Sequence, residues 1–213
     1  MSLPINIEDL LGGRVVEGNR VEFKSGWNPN PIYRTICAFA NDFDDTCGGY
    51  IVVGVEEENG RAVRPVKGID INEIEPIEKD IVALNNMLIP YYQPRVFFEP
   101  VDGKTVMVIW VPAGERRPYK VPDEVKAKEK KYNYYIRYNS SSVVAKDEYF
   151  ADLMNQANRA PFDDRGNVRA KVEDVSMLLI RDYLAYTLET GVRRCHPALI
   201  WLQGSREPTS ILM

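Results

Sequence analysis

The stretch Cys47 to Gly60, reading CGGYIVVGVEEENG, constrains the fold of this chain more than any other. A Gly-Gly entry, a β-branched apolar run and an exit of glycine and acids fit a strand buried on both faces, because alternation disappears when neither face meets water. The stretch therefore predicts a central strand. Before it, Ile32, Ile36 and Ala40 recur at four-residue spacing with Tyr33 and Cys37 one step round, which puts an apolar stripe on a helix over residues 31–42. Earlier still, residues 20–24 alternate, so Val21 and Phe23 face a core while Glu22 and Lys24 face out together. The unit reads strand, helix, strand.

The chain beyond it alternates helix and strand signals. Residues 6–11 form a short helix capped by Asn6 and ended by Gly12-Gly13. Ile74, Ile77, Ile81, Leu84 and Leu88 follow the helical period, with Pro76 near the start of the regular part. Residues 94–101 and 105–111, joined by Asp102-Gly103, give a hairpin. Met107, Ile109 and Val111 point to one side of it and Val106, Val108 and Trp110 to the other. Residues 112–119 and 125–131 read as exposed loops, and residues 132–138 as a tyrosine-rich strand. A helix over about 145–157 carries Tyr149, Leu153 and Ala157 on one stripe, and a second amphipathic segment runs from Val172 to Leu188. The acidic loop Asp42 to Thr46 is either a solvated connection or the rim of a metal or partner site.

Composition excludes several function classes. No apolar run approaches the roughly 18 residues of a membrane span and no charged-then-apolar leader opens the chain, so the expected setting is the cytoplasm without membrane. Three cysteines, Cys37, Cys47 and Cys195, make no CxxC pair and point to neither a disulfide framework nor a thiolate zinc site; Cys37 and Cys47 read as small buried residues. The single histidine, His196, removes most imidazole chemistry. The glycine spacing at Gly49 to Glu56 imitates a phosphate loop, yet Val55-Glu56 stands where Lys-Ser/Thr would bind phosphate. The net charge of −4 argues against strong indiscriminate nucleic-acid binding. The charge is unevenly placed, however: residues 40–90 carry eleven acids against four bases, and residues 114–138 eight bases against four acids.

Four ordered segments carry a resemblance: Glu17 with residues 21–24 (VEFK), residues 36–41 (ICAFAN), residues 48–55 (GGYIVVGV) and residues 135–140 (YIRYNS). Together they resemble the Schlafen-type Alba-like domain, formerly called a divergent AAA domain, which often forms the N-terminal part of bacterial transcriptional regulators. The resemblance implies an α+β fold, a mixed and mostly antiparallel sheet packed with helices, over residues 7–160. Residues 161–213 are then a linker and helical extension, similar to the start of a following domain.

The function this implies is nucleic-acid binding, DNA or RNA, within a transcriptional regulator, with a homodimer doubling the basic surface. Candidate contacts are Arg116, Arg117, Lys120, Lys126, Lys128, Lys130, Lys131 and Arg137, interleaved with tyrosines among which Tyr135 is singled out. Cations meet phosphates while aromatic faces stack on bases. No cofactor is expected on this reading. Nucleolytic Schlafen relatives imply an alternative, a metal-dependent RNA endonuclease in which Glu17, Glu22 and Glu56 or Glu57 hold magnesium or manganese. Against it, Glu22 has Lys24 and Arg137 as potential partners. A third reading is a protein-interaction or dimerisation module without nucleic acid.

Overall fold

The computed structural model describes residues 2–12 and 18–158 together with Arg181. The chain divides into two units, Met1–Ala160 and Pro161–Met213, and the architecture below is that of the first. The helix expected from Val172 to Leu188 lies, Arg181 apart, outside the described residues.

Helix α1 spans Ile7–Leu11, and the Asn6 side chain caps it by accepting the Glu8 N–H. Strand β1 spans Val21–Lys24, helix α2 Pro29–Asn41 and strand β2 Gly49–Val53. Two short strands follow, β3 (Glu57–Glu58) and β4 (Arg61–Ala62), then α3 (Ile71–Leu84), β5 (Arg95–Val101), β6 (Lys104–Val111), β7 (Lys120–Pro122), β8 (Tyr132–Tyr138), β9 (Ser141–Val144) and α4 (Asp147–Asn158). The fold is α+β with mostly antiparallel sheets.

A four-stranded sheet runs β1-β2-β6-β5, parallel only between β1 and β2, as a strand–helix–strand crossover requires. Strand β2 is buried at every residue, because both faces of this sheet are covered. Ile51, Val53, Met107, Ile109 and Val111 join one apolar cluster with α2 and α3. Tyr50, Val52, Val106 and Val108 join another, with Leu10 and Leu11 of α1. The alternation in β6 thus falls on the two sides that its sequence predicts.

Helix α2 is buried nearly all round, because a second sheet, β7-β8-β9, covers its far side and places Tyr119, Val121 and Tyr135 in the same cluster as Ile32 and Ile36. Each such large apolar side chain contributes about 1.5–3 kcal/mol through burial. Asn41, fully buried at the end of α2, binds the two elements: its amide donates to the carbonyls of Tyr119 (2.9 Å) and Tyr135 (2.7 Å), and its oxygen accepts the Tyr119 N–H (2.6 Å).

Several expectations are corrected. Helix α3 begins at Ile71, capped by Asp70, and carries Pro76 inside it, so the proline does not mark the start. The segment after β2 is a hairpin, turned by Asn59-Gly60 with positive φ at both residues. Strand β9 intervenes before α4. Tyr119 and Val125 are core residues rather than loop surface, since the chain there packs on α2. Cys37 is a free, buried thiol, raised to about 12 by burial, whereas Cys47 is half-buried and disulfide-bonded. The acidic loop is organised by Asp42, buried at the C-terminus of α2, whose carboxylate accepts the N–H groups of Thr46, Cys47 and Gly48. Gly48 (φ +75) then threads past β6 so closely that a Cβ would lie 2.0 Å from the Val111 carbonyl oxygen.

Candidate nucleic-acid interface

The carboxylates and the cations named from the sequence fall into two separate settings. On edge strand β1, Glu22 and Lys24 share a face, as a period of two dictates, and Lys24 Nζ donates to Glu22 Oε1 at 2.5 Å. Arg137, from β8, donates through Nη1 to Glu22 Oε2 at 3.0 Å and to Ser142 Oγ at 3.0 Å, and through Nε to the Asn19 carbonyl at 3.1 Å. The guanidinium lies 5.0 Å from the centre of the Phe39 ring. Its side chain is only 7% exposed, and that of Glu22 16%. Burial pulls the Arg137 guanidinium below its ordinary value, while the charge of Glu22, its hydrogen bond and the charge of Glu57 work against that. Arg137 Nη2 and Asn19 Oδ1 are buried without a hydrogen-bond partner among the described residues, and both residues line a cavity of about 10 Å³.

Among the described residues this arrangement brings no set of divalent-metal ligands together. Both Glu22 oxygens are taken by cations, Glu56 and Glu57 are exposed, and no group of three or more potential ligands comes together among the described residues. Glu17 lies outside the described residues. A carboxylate neutralised from both sides is a structural ion pair, and sequence spacing alone does not distinguish it from a ligand.

The basic residues divide by exposure. Lys126, Lys128, Lys130 and Lys131 lie on the connection from β7 to β8 and are exposed, as is Arg116. Lys126 Nζ is held by Asp80 Oδ2 at 2.7 Å, whereas Lys128, Lys130, Lys131 and Arg116 make no ion pair among the described residues. Lys120, on β7, stands 5.8 Å from the centre of the half-buried Tyr132 ring. Arg117 is turned inward, donating to the carbonyls of Asn41 (3.4 Å) and Asp42 (3.2 Å) and to Asp45 (3.4 Å). Two of the expected contacts are interior. Tyr135 is 4% exposed with its hydroxyl bound to Asp123, and Arg137 is the partner of Glu22; neither is placed to meet an external ligand. Alternation along β8 sets Tyr135 and Arg137 on the face opposite to Tyr132, Tyr134 and Tyr138, so of its four tyrosines it is Tyr135 that turns inward.

Sequence reading missed an aromatic surface. Tyr138 (53% exposed) and Tyr149 (45%) meet edge-on with ring centres 6.1 Å apart, and Tyr149 also meets Phe43 at 5.9 Å. The signal was present in the tyrosine density of β8 and the Tyr149-Phe150 pair, but only β9 and the start of α4 bring them together. No helix among the described residues is long and apolar enough to cross a membrane.

The sequence profile of the family described as Schlafen, AlbA_2 matches residues 17–146, well over half the chain. Among solved structures, the DIP2311 protein from Corynebacterium diphtheriae is similar at 18% identity and a TM-score of 0.45. That match covers 82% of this chain, which spans 36% of the length of DIP2311. The N-terminal domain of a protein related to the ATP-dependent DNA helicase RecG, from Nitrosomonas europaea, is similar at 24% identity and a TM-score of 0.40, over 66% of this chain and 89% of that one. No curated protein matches.

Proposed function

This chain belongs to the Schlafen AlbA_2 family, and we propose that it binds nucleic acid through the β7–β8 connection, as the nucleic-acid-binding part of a cytoplasmic transcriptional regulator. The observation that carries the reading is the exposure of Lys128, Lys130 and Lys131 on one loop, without ion pairs among the described residues, beside Lys120 and Tyr132. Unpaired surface cations release condensed counterions on meeting phosphates, and that release supplies the affinity. A neighbouring aromatic ring adds a face for an unstacked base, worth about 1–3 kcal/mol per stacked base. The overall negative charge keeps the affinity modest and confines it to this patch.

The test is a titration of the chain with single-stranded RNA, single-stranded DNA and duplex DNA at two salt concentrations, with manganese present and the products resolved on a gel. Salt-sensitive binding without cleavage supports the reading. Cleavage that is lost in Glu22→Gln with folding intact would replace it with the nuclease reading. Silence in every lane would leave an interaction module.

A further inference from the structure

A cavity of about 630 Å³ opens between the loop from β1 to α2, the chain leading into α3 and the first turns of α3 itself. That volume falls within the range of small-molecule sites, about 300–1,000 Å³. None of the residues named for nucleic-acid contact lines it, yet it shares a wall with the basic loop. Asp80, on its lining, accepts Trp27 Nε1–H at 3.1 Å and Lys126 Nζ at 2.7 Å on the same oxygen, Oδ2. The cavity and the lysines that follow Lys126 are thereby neighbours.

The walls are pinned on both sides. Trp27 is half-buried against the apolar cluster of α2 and α3, and Asp80 holds its indole N–H. Opposite in sequence, the Gly68 N–H donates to the Gly54 carbonyl at 2.7 Å and the Ile69 N–H to the Thr105 carbonyl at 2.8 Å, which ties the chain before α3 to the sheet. A ligand meets a formed site rather than ordering one, and that keeps the entropic cost of binding low.

The lining combines an apolar side with uncommitted polar groups. Trp27, Ile69 and Ile77 supply the first. The side chains of Ser25, Asn28, Lys67 and Glu73 are exposed and make no hydrogen bond or ion pair among the described residues, and Asp80 Oδ1 is likewise unused. The charges then decide the ligand class. A phosphate would face the carboxylates of Glu73 and Asp80 against one lysine, Lys67. A cation would meet that lysine, and an Asp80 already matched by Lys126. A neutral planar ring with donors and acceptors on its edge meets neither penalty, and its faces suit an indole.

We propose that this cavity takes a nucleobase, stacked on Trp27 and hydrogen-bonded along its edge by the polar lining, with its sugar and phosphate outside, towards the lysines of the β7–β8 connection. This deepens the nucleic-acid reading and rests on it for the phosphate contacts. It also sets a preference for single strands. A base inside a duplex is stacked and paired and has to be extruded before it can enter such a pocket, whereas an unpaired base enters at less cost.

The experiment is fluorescence anisotropy of the full chain with a single-stranded RNA, a single-stranded DNA and a duplex DNA of one length at fixed salt, beside tryptophan quenching by free nucleoside monophosphates. Two variants reach the cavity by different routes, with circular dichroism to confirm folding. Trp27→Leu removes the stacking face. Gly26→Leu fills the space: Gly26 lines the cavity without a positive φ, and nothing lies within 4 Å of a Cβ built there, so the fold accepts the side chain. Both are expected to weaken single-strand binding by about tenfold and to leave duplex binding unchanged. Ligand is expected to quench wild-type fluorescence through Trp27, and Trp27→Phe to lose that change. Quenching by free monophosphates identifies a soluble nucleotide as an occupant, and quenching by strands alone identifies a base of the bound polymer; either supports the site. Single-strand binding indifferent to both variants would overturn the cavity site and leave nucleic-acid binding standing. Quenching of Trp27 by monophosphates without any oligonucleotide binding would keep the site and overturn the nucleic-acid reading, and silence in both assays would overturn both.

Discussion

Arg137 Nη1 and Glu22 Oε2, 115 residues apart in sequence, meet at 3.0 Å with both side chains largely excluded from water. The pair joins the edge of the four-stranded sheet to the three-stranded one, and it decides how the most suggestive carboxylate of the chain is read. Glu22→Gln leaves a buried guanidinium without its counter-charge and is expected to lower unfolding stability by about 3 kcal/mol. Replacing both residues, Glu22→Leu with Arg137→Met, is expected to recover much of that loss, since no uncompensated charge then remains. Urea denaturation of the three variants measures it; a Glu22→Gln protein as stable as wild type would show that the pair is not structural.

Asn41 offers a second test of what joins the layers. Asn41→Leu keeps the volume but strands the Tyr119 N–H and the Tyr135 carbonyl, and leaves the Tyr119 carbonyl with the Cys37 thiol as its remaining donor. Each stranded buried group costs about 1–3 kcal/mol, so the variant is expected to lose at least about 2 kcal/mol. Hydrogen exchange is expected to show the loss at β7 and β8 ahead of β2 and β6, where the amides belong to a ladder that Asn41 does not touch.

Acid should loosen the packing of α3 against the β7–β8 connection. The Lys126 hydrogen bond, with help from Trp27, holds Asp80 below the usual carboxylate value. Burial would raise Asp123, but hydrogen bonds from Tyr135 and Asn133 outweigh it and leave that carboxyl lowered as well. A carboxyl lowered on folding contributes stability that is complete above its unfolded value, about 3.9, and is lost as pH falls through the folded one. Thermal melts are therefore expected to be flat above about pH 5 and to fall steeply below about pH 4. Asp80→Asn should flatten part of that fall, and an unchanged profile would remove Asp80 from the account.

For the proposed interface, Lys128→Ala, Lys130→Ala and Lys131→Ala combined should reduce the slope of log affinity against log salt by about 2–3, close to 0.9 for each duplex phosphate that is no longer neutralised. Arg137→Met should leave that slope unchanged once its lower stability is allowed for, because Arg137 is buried. Fluorescence anisotropy at several salt concentrations distinguishes the two. An equal effect of both variants would place the binding surface elsewhere.

Much of this was legible from local pattern. The alternation of Val106, Val108 and Trp110 with Met107, Ile109 and Val111, the stripe Ile32-Ile36-Ala40 and the Asp102-Gly103 turn each express a period or a backbone preference that a few adjacent residues settle among themselves. The family was legible for the same reason, through four short ordered segments. What the sequence left open was partnership at a distance. Whether Glu22 is a ligand or half of an ion pair depends on Arg137, and whether Tyr135 meets solvent or Asp123 depends on which face of β8 lies on α2. Lysines on a loop keep the exposure their composition implies, but charges on strands take their role from whatever the fold lays against them. Local chemistry determined the elements here, and only their packing decided which of the charges remained available for function.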